Sequence, residues 1–165
     1  MKLIIDSEQF NRTLKRMTHE IIERNEDLSK IILVGIERKG TPIAKEIKNL
    51  IKMFEDVDVP LEVINIGSHR DDHKKIPDVE INFSENVNDK IIILVDDVLY
   101  TGRTVRAAMD AIVDIGRPAK IELAVFVDRG HRELPIRADF IGKNVPTSKE
   151  EMVICDFFNR QVLIK

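Results

Sequence analysis

Tryptophan is absent from this sequence, and tyrosine and cysteine occur once each. The lone Cys155 has no partner for an internal disulfide, so the fold must rest on buried apolar surface rather than covalent staples. No apolar run approaches the ~20 residues that a membrane-spanning helix needs, and Met1 to Asp6 holds too few apolar residues for a signal peptide. A cytoplasmic location is expected, in which the Asn11-Arg12-Thr13 and Asn82-Phe83-Ser84 sequons have no consequence. A basic excess is missing too. The 26 Lys and Arg face 29 Asp and Glu for a net charge of −3, which argues against a protein that binds polyanions with its whole surface. Any nucleic-acid site must then be a local patch. His and Cys clusters of metal-ligand spacing are also lacking, so no resident metal is expected, and neither a Walker A loop nor G-x-G-x-x-G occurs.

What is present is 165 residues, 43% hydrophobic and 33% charged, which is the make-up of one compact soluble domain. Residues 7–25, with Ser7 as N-cap, carry Phe10, Leu14, Met17 and Ile21 at helical spacing and predict an amphipathic helix. The β-branched run 30–36 reads as a strand, Arg38 to Pro42 as a loop, and the stretch onward to about Phe54 as a second helix. Leu61 to Ile66 is another short apolar run. Residues 67–89 are polar and aperiodic, which predicts a long mobile loop, with room for a small hairpin, of the kind that serves as a lid. Ile91 to Val95 has no polar break, as a central parallel strand buried on both faces requires. A helix from Arg103 follows, with Val105, Ala108, Met109, Ile112 and Ile115 on one face and Gly116 and Pro118 as its stop. Lys120 to Val127 is the next strand. Strands alternating with helices predict an α/β fold with a doubly wound parallel sheet. The terminal pieces Met152–Cys155 and Val162–Ile164 are expected to form a small flap.

The stretch Val95-Asp96-Asp97-Val98-Leu99-Tyr100-Thr101-Gly102-Arg103-Thr104 puts two carboxylates, a glycine and two hydroxyls where the most buried strand meets a helix. A helix N-terminus offers free N–H groups and the positive end of the dipole to an anion, and Thr101 and Thr104 add hydroxyl donors. Gly102 lets the backbone wrap the anion. Paired carboxylates would repel a phosphate, so they are read as acceptors for sugar hydroxyls beside it. The ligand expected is a ribose 5-phosphate.

Hydrophobic residues, two acids and then Thr-Gly-x-Thr resemble the phosphoribosyl pyrophosphate (PRPP) signature of type I phosphoribosyltransferases. VDDVLYTGRTVRAAMDAI and VDRGHRELPIRADFIGKNVPTS, with HEIIERN and LVGIERKG before them, resemble one branch, the bifunctional pyrimidine operon attenuators that also act as uracil phosphoribosyltransferases. The resemblance covers most of residues 1–150. It implies a type I phosphoribosyltransferase fold with a hood from about 1–10 and 136–165, a homodimer or higher homo-oligomer, Mg²⁺ carried with PRPP, and binding to a leader mRNA that depends on UMP or UTP. It assigns Asp96 and Asp97 to the ribose hydroxyls and Thr101, Gly102, Arg103 and Thr104 to the 5-phosphate. Arg38, Lys39 and Gly40 are assigned to pyrophosphate, where the branch more often has Thr-Arg in place of Arg38-Lys39. Arg70 falls in the mobile catalytic loop, where it would screen the departing charge. Tyr100 stands where 6-oxopurine transferases carry an aspartate, which disfavours purines. Phe140 and Ile141 are the uracil site the resemblance implies, while the residues alone fit a plain strand with a buried Phe equally well.

Arg12, Lys15, Arg16 and His19 fall opposite the apolar face of the first helix, and residues 129–149 hold Arg129, His131, Arg132, Arg137, Lys143 and Lys149. Arg16, His19, Arg132 and Arg137 are the expected RNA contacts. Three functions are consistent with the sequence: a regulator that also turns over uracil, a salvage enzyme without an RNA role, and a nucleotide-sensing RNA-binding module with little catalysis.

Overall fold

The structure, a computed structural model, describes residues 1–67 and 79–165. The order of elements is β1 (Lys2–Ile5), α1 (Ser7–Arg24), β2 (Ile31–Ile36), α2 (Gly40–Glu55), β3 (Leu61–Asn65), β4 (Glu80–Ile81), β5 (Ile91–Leu99), α3 (Arg103–Ile115), β6 (Lys120–Asp128), β7 (Phe140–Asn144), β8 (Val153–Asp156) and β9 (Gln161–Ile164). The main sheet has the order β4-β3-β2-β5-β6-β7. Its five longer strands run parallel, and β4 pairs antiparallel with β3.

Residues alternate across the sheet and build one core on each face. Ile31, Leu33, Ile93, Val95 and Phe126 meet α1 and α2 on one side. Ile32, Val34, Ile92, Leu94 and Val125 meet α3 on the other. Fully buried apolar side chains contribute about 1.5–3 kcal/mol each and exposed ion pairs about 0–1, so these two layers hold the domain together. Among the described residues no helix is long and apolar enough to cross a membrane.

Several boundaries differ from the sequence-based expectation. Asp6, not Ser7, caps α1: its carboxylate accepts from the Gln9 N–H while the Gln9 side chain accepts from the Asp6 N–H, a reciprocal capping box. α2 begins at Gly40, which places Pro42 in the first helical turn, where its missing N–H has no intrahelical partner to lose. β5 runs on through Asp96 and Asp97 to Leu99, so both acids are strand residues. The hood is a separate sheet of order β1-β9-β8, whereas β7, within the stretch expected to belong to it, is the sixth strand of the main sheet. Residues 68–78 of the expected mobile loop lie outside the described residues; the later part contributes β4.

Candidate functional site

The chain leaves β2 through α2 to β3 on one side of β2, and leaves β5 through α3 to β6 on the other. The two helices lie on opposite faces, so a crevice opens between the C-terminal ends of β2 and β5, the place where open α/β sheets bind ligands. Three of the predicted segments converge there.

Asp96 and Asp97 stand at the end of β5, 3% and 5% exposed. The Asp97 N–H donates to Asp96 Oδ1 at 2.8 Å, which orients the first carboxylate from within the pair. Arg38 and Lys39 form the exposed turn before α2, and the Glu37–Arg38 peptide is cis. Gly40 brings that turn against the acids. A Cβ there would lie 2.3 Å from the Val95 carbonyl oxygen and 3.0 Å from Asp96 Cα, so only glycine lets the α2 N-terminus reach the β5 backbone. The third segment closes the strand. Gly102 caps α3 with φ +93°, the left-handed region, and the Arg103 N–H donates to Thr101 Oγ1 at 3.2 Å. The α3 N-terminus therefore points its free N–H groups into the same crevice as the acids. Arg70, the fourth expected element, lies outside the described residues.

Cys155, on β8 of the hood, is buried close enough to the acids to feel them. Burial first, and then the Asp97 charge, push its thiol up to about 12. It is an inert strand residue, as the sequence suggested. Iodoacetamide at about pH 8 is expected to spare it in the folded protein and modify it once unfolded. Because the folded state holds the proton more tightly than an ordinary thiol does, this contribution to stability is complete below about 9 and is lost as pH rises toward about 12. Modification of native protein at the unfolded rate would contradict the burial.

Over residues 4–153 the chain matches the phosphoribosyl transferase domain family. It is 55% identical over 153 residues to the bifunctional protein PyrR of Streptococcus suis, covering 93% of this chain and 88% of that one. With the bifunctional protein pyrR of Enterococcus faecalis the identity is 51% over 162 residues, 96% and 91% of the two chains. The chain belongs to the PyrR family. The PyrR fold is also that of the hypoxanthine phosphoribosyl transferase of Trypanosoma cruzi, with a TM-score of 0.82 over 99% of this chain and 90% of that one, at 17% identity. A hypoxanthine enzyme whose invariant aspartate is replaced by glutamate gives a TM-score of 0.84, also at 17% identity, over 99% and 94%.

In this PyrR chain the other expected contacts divide. Phe140 is 3% exposed, in the core beneath α1 and α2, and pairs with Ala124. That is four residues, or about 13 Å, short of Asp128 at the strand end. Its ring is core and is not free to stack on a base in the crevice. Ile141 packs against the opposite core. Arg16 is spent internally as well: it pairs with Glu20 at 2.7 Å and donates to the Gly142 carbonyl at 2.5 Å, bracing α1 on β7. His19 stacks on Phe54 at 4.3 Å. Arg129 lies over the Tyr100 ring at 4.1 Å and donates to Thr147 Oγ1 and the Glu151 carbonyl, tying the turn before α3 to the segment that leads into β8. Arg132 and Arg137 are exposed, and neither has an ion pair among the described residues. Arg129 belongs to the basic cluster of residues 129–149 but was not among the expected RNA contacts, and nothing in its surroundings betrays its partners about 20 residues on.

Proposed function

We propose that this protein binds a uridine nucleotide in the β2–β5 crevice, makes UMP and pyrophosphate from uracil and PRPP, and, with UMP or UTP bound, grips a pyrimidine-gene leader mRNA to cause transcription attenuation. The observation that carries the reading is the convergence at Gly40. It sets the Arg38–Lys39 turn, the buried acids and the α3 N-terminus around one crevice within a PyrR-family chain.

In this reading Asp96 and Asp97 accept hydrogen bonds from the ribose hydroxyls and hold C1 in place for attack by uracil. The N–H groups and hydroxyls of Thr101–Thr104 donate to the 5-phosphate, and the 38–40 turn receives the pyrophosphate as its charge develops. Among the described residues no group of three or more His, Cys, Asp or Glu is placed to hold a metal ion. Two adjacent buried carboxylates fit instead a Mg²⁺ ion that keeps most of its ligands from substrate oxygens. Bound with PRPP, that ion supplies neutralisation of the departing pyrophosphate. A cytoplasmic homo-oligomer is the form proposed, with Arg132 and Arg137 as the RNA contacts, since they are the cations of the expected set left unspent.

Replacing Arg132 or Arg137 with Gln is expected to weaken leader-RNA binding while sparing UMP synthesis. If each meets one phosphate, the slope of log affinity against log salt falls by roughly 0.7–0.9 per substitution. If each stacks on or reads a base, affinity drops by about 1–3 kcal/mol with little change of slope. Unaltered RNA affinity in both variants would contradict the RNA face.

A further inference from the structure

The exposed arginines and the phosphate loop are not independent parts of the surface. Contacts along its whole length join the 129–136 segment to residues 99–103, among them the Arg129 guanidinium and the His131 ring, 4.1 and 5.6 Å from the centroid of the Tyr100 ring. The Arg129 N–H donates to the Leu99 carbonyl at 3.1 Å, and the Glu133 N–H donates to the Thr101 carbonyl at 2.9 Å. Arg103 Nε donates to Glu133 Oε1 at 3.1 Å. The Ile136 Cβ lies 3.4 Å from the place a Cβ would take on Gly102. Arg129 and Glu133 each hold the loop twice, Arg129 through its backbone to Leu99 and its guanidinium over Tyr100, Glu133 through its backbone to Thr101 and its carboxylate to Arg103; of the two, only Glu133 holds residues proposed to bind the phosphate. Arg132 directly precedes Glu133, and Arg137 directly follows Ile136.

We infer that Glu133 is a positioning residue that couples occupancy of the phosphate loop to the presentation of Arg132 and Arg137, so that a nucleotide phosphate bound at Thr101–Thr104 steadies the RNA-facing segment. This rests on the reading of nucleotide and RNA sites given above and adds the link between them. The Arg103–Glu133 pair is exposed on both sides, 61% and 55%, and on its own it pays in side-chain freedom for most of what it gains. A phosphate at the α3 N-terminus takes up the free loop N–H groups and the Thr101 hydroxyl, whose oxygen accepts from the Arg103 N–H, and so fixes the backbone from which the guanidinium reaches out. With one partner already fixed, the pair costs less entropy to keep, and Glu133 with the arginines beside it is held more firmly. The coupling is reciprocal: whatever factor the nucleotide adds to RNA affinity, RNA adds to nucleotide affinity.

Hydrogen exchange with and without UMP tests this in the full-length protein. In the native chain, UMP is expected to slow exchange in peptides covering both 99–104 and 129–138. In Glu133→Gln the protection of 99–104 remains while that of 129–138 falls by about two- to fivefold, the range an exposed ion pair supports. Leader-RNA titrations on the same variant are expected to show the ratio of affinities with and without UMP falling by a similar factor, with UMP synthesis from uracil unchanged. Ile136→Ala, which loosens the packing on Gly102 without touching charge, is expected to lower that ratio as well. Removing a negative charge raises RNA affinity by itself. A rise that is equal with and without UMP would therefore overturn the coupling and leave Glu133 as a repelling charge only. Protection by UMP of 99–104 but not of 129–138 in the native chain would also overturn it while leaving the nucleotide site intact. Protection of neither segment would overturn the site reading and the coupling together.

Discussion

Gly102→Val is expected to abolish UMP binding and, with it, the UMP-dependent part of RNA binding. Gly102 holds φ +93° at the start of α3, a conformation that a β-branched residue adopts only at a cost of about 1–3 kcal/mol. A side chain there also meets Ile136 at 3.4 Å. The chain has two ways to relieve this, tilting the first turn of α3 or pushing the 134–136 segment outward, and either one withdraws N–H donors from the phosphate. Losing two charge-assisted hydrogen bonds at about 1.5–3 kcal/mol each weakens UMP by about 100-fold or more. A thermal melt of the variant separates this from unfolding, because two cores far larger than this turn stay in place. UMP-stimulated RNA affinity that survives in Gly102→Val would mean that the regulatory nucleotide binds elsewhere.

Asp97→Asn carries the second large effect. The side chain keeps its volume at a position 5% exposed, so the fold is expected to persist. What is lost is the charged acceptor proposed for a ribose hydroxyl and for the cation that accompanies PRPP. At about 1.5–3 kcal/mol for a hydrogen bond to a charged group, PRPP affinity is expected to fall by about 10- to 150-fold. Calorimetry with PRPP and Mg²⁺ measures it directly. An unchanged affinity would remove Asp97 from the ribose site.

The parallel core was legible because its strands are uninterrupted β-branched runs, and a run such as Ile31–Ile36 has nowhere to go but between two helical layers. The turn between β5 and α3, the proposed phosphate loop, was legible for a different reason: it combines residues that a plain turn has no use for. The boundaries of β5 were harder. Two aspartates inside a strand contradict propensity, and they are tolerated because the strand ends at a ligand crevice, so the local rule yields where the site begins. The capping error at Ser7 had a signal against it, since Gln9 stands three residues after Asp6, at the position a reciprocal cap needs, and Phe10 stands three after Ser7. Residues 139–143 read equally well as a uracil site or as a plain strand with a buried Phe, and the structure shows the strand, with Phe140 in the core. The fate of the cations was the least legible. Arg16 ends on a carbonyl 126 residues away and Arg129 on one 22 residues away, and no helical or strand periodicity encodes such partners.

In the proposed function one crevice serves both the nucleotide and, through it, the RNA. Titration of a pyrimidine-gene leader RNA at fixed moderate salt, with and without saturating UMP, tests it most directly. UMP is expected to tighten binding to the leader, unrelated RNA to show no such gain, and Gly102→Val to lose the gain while keeping the weaker nucleotide-independent affinity. A leader affinity that is the same with and without UMP would contradict the proposed function.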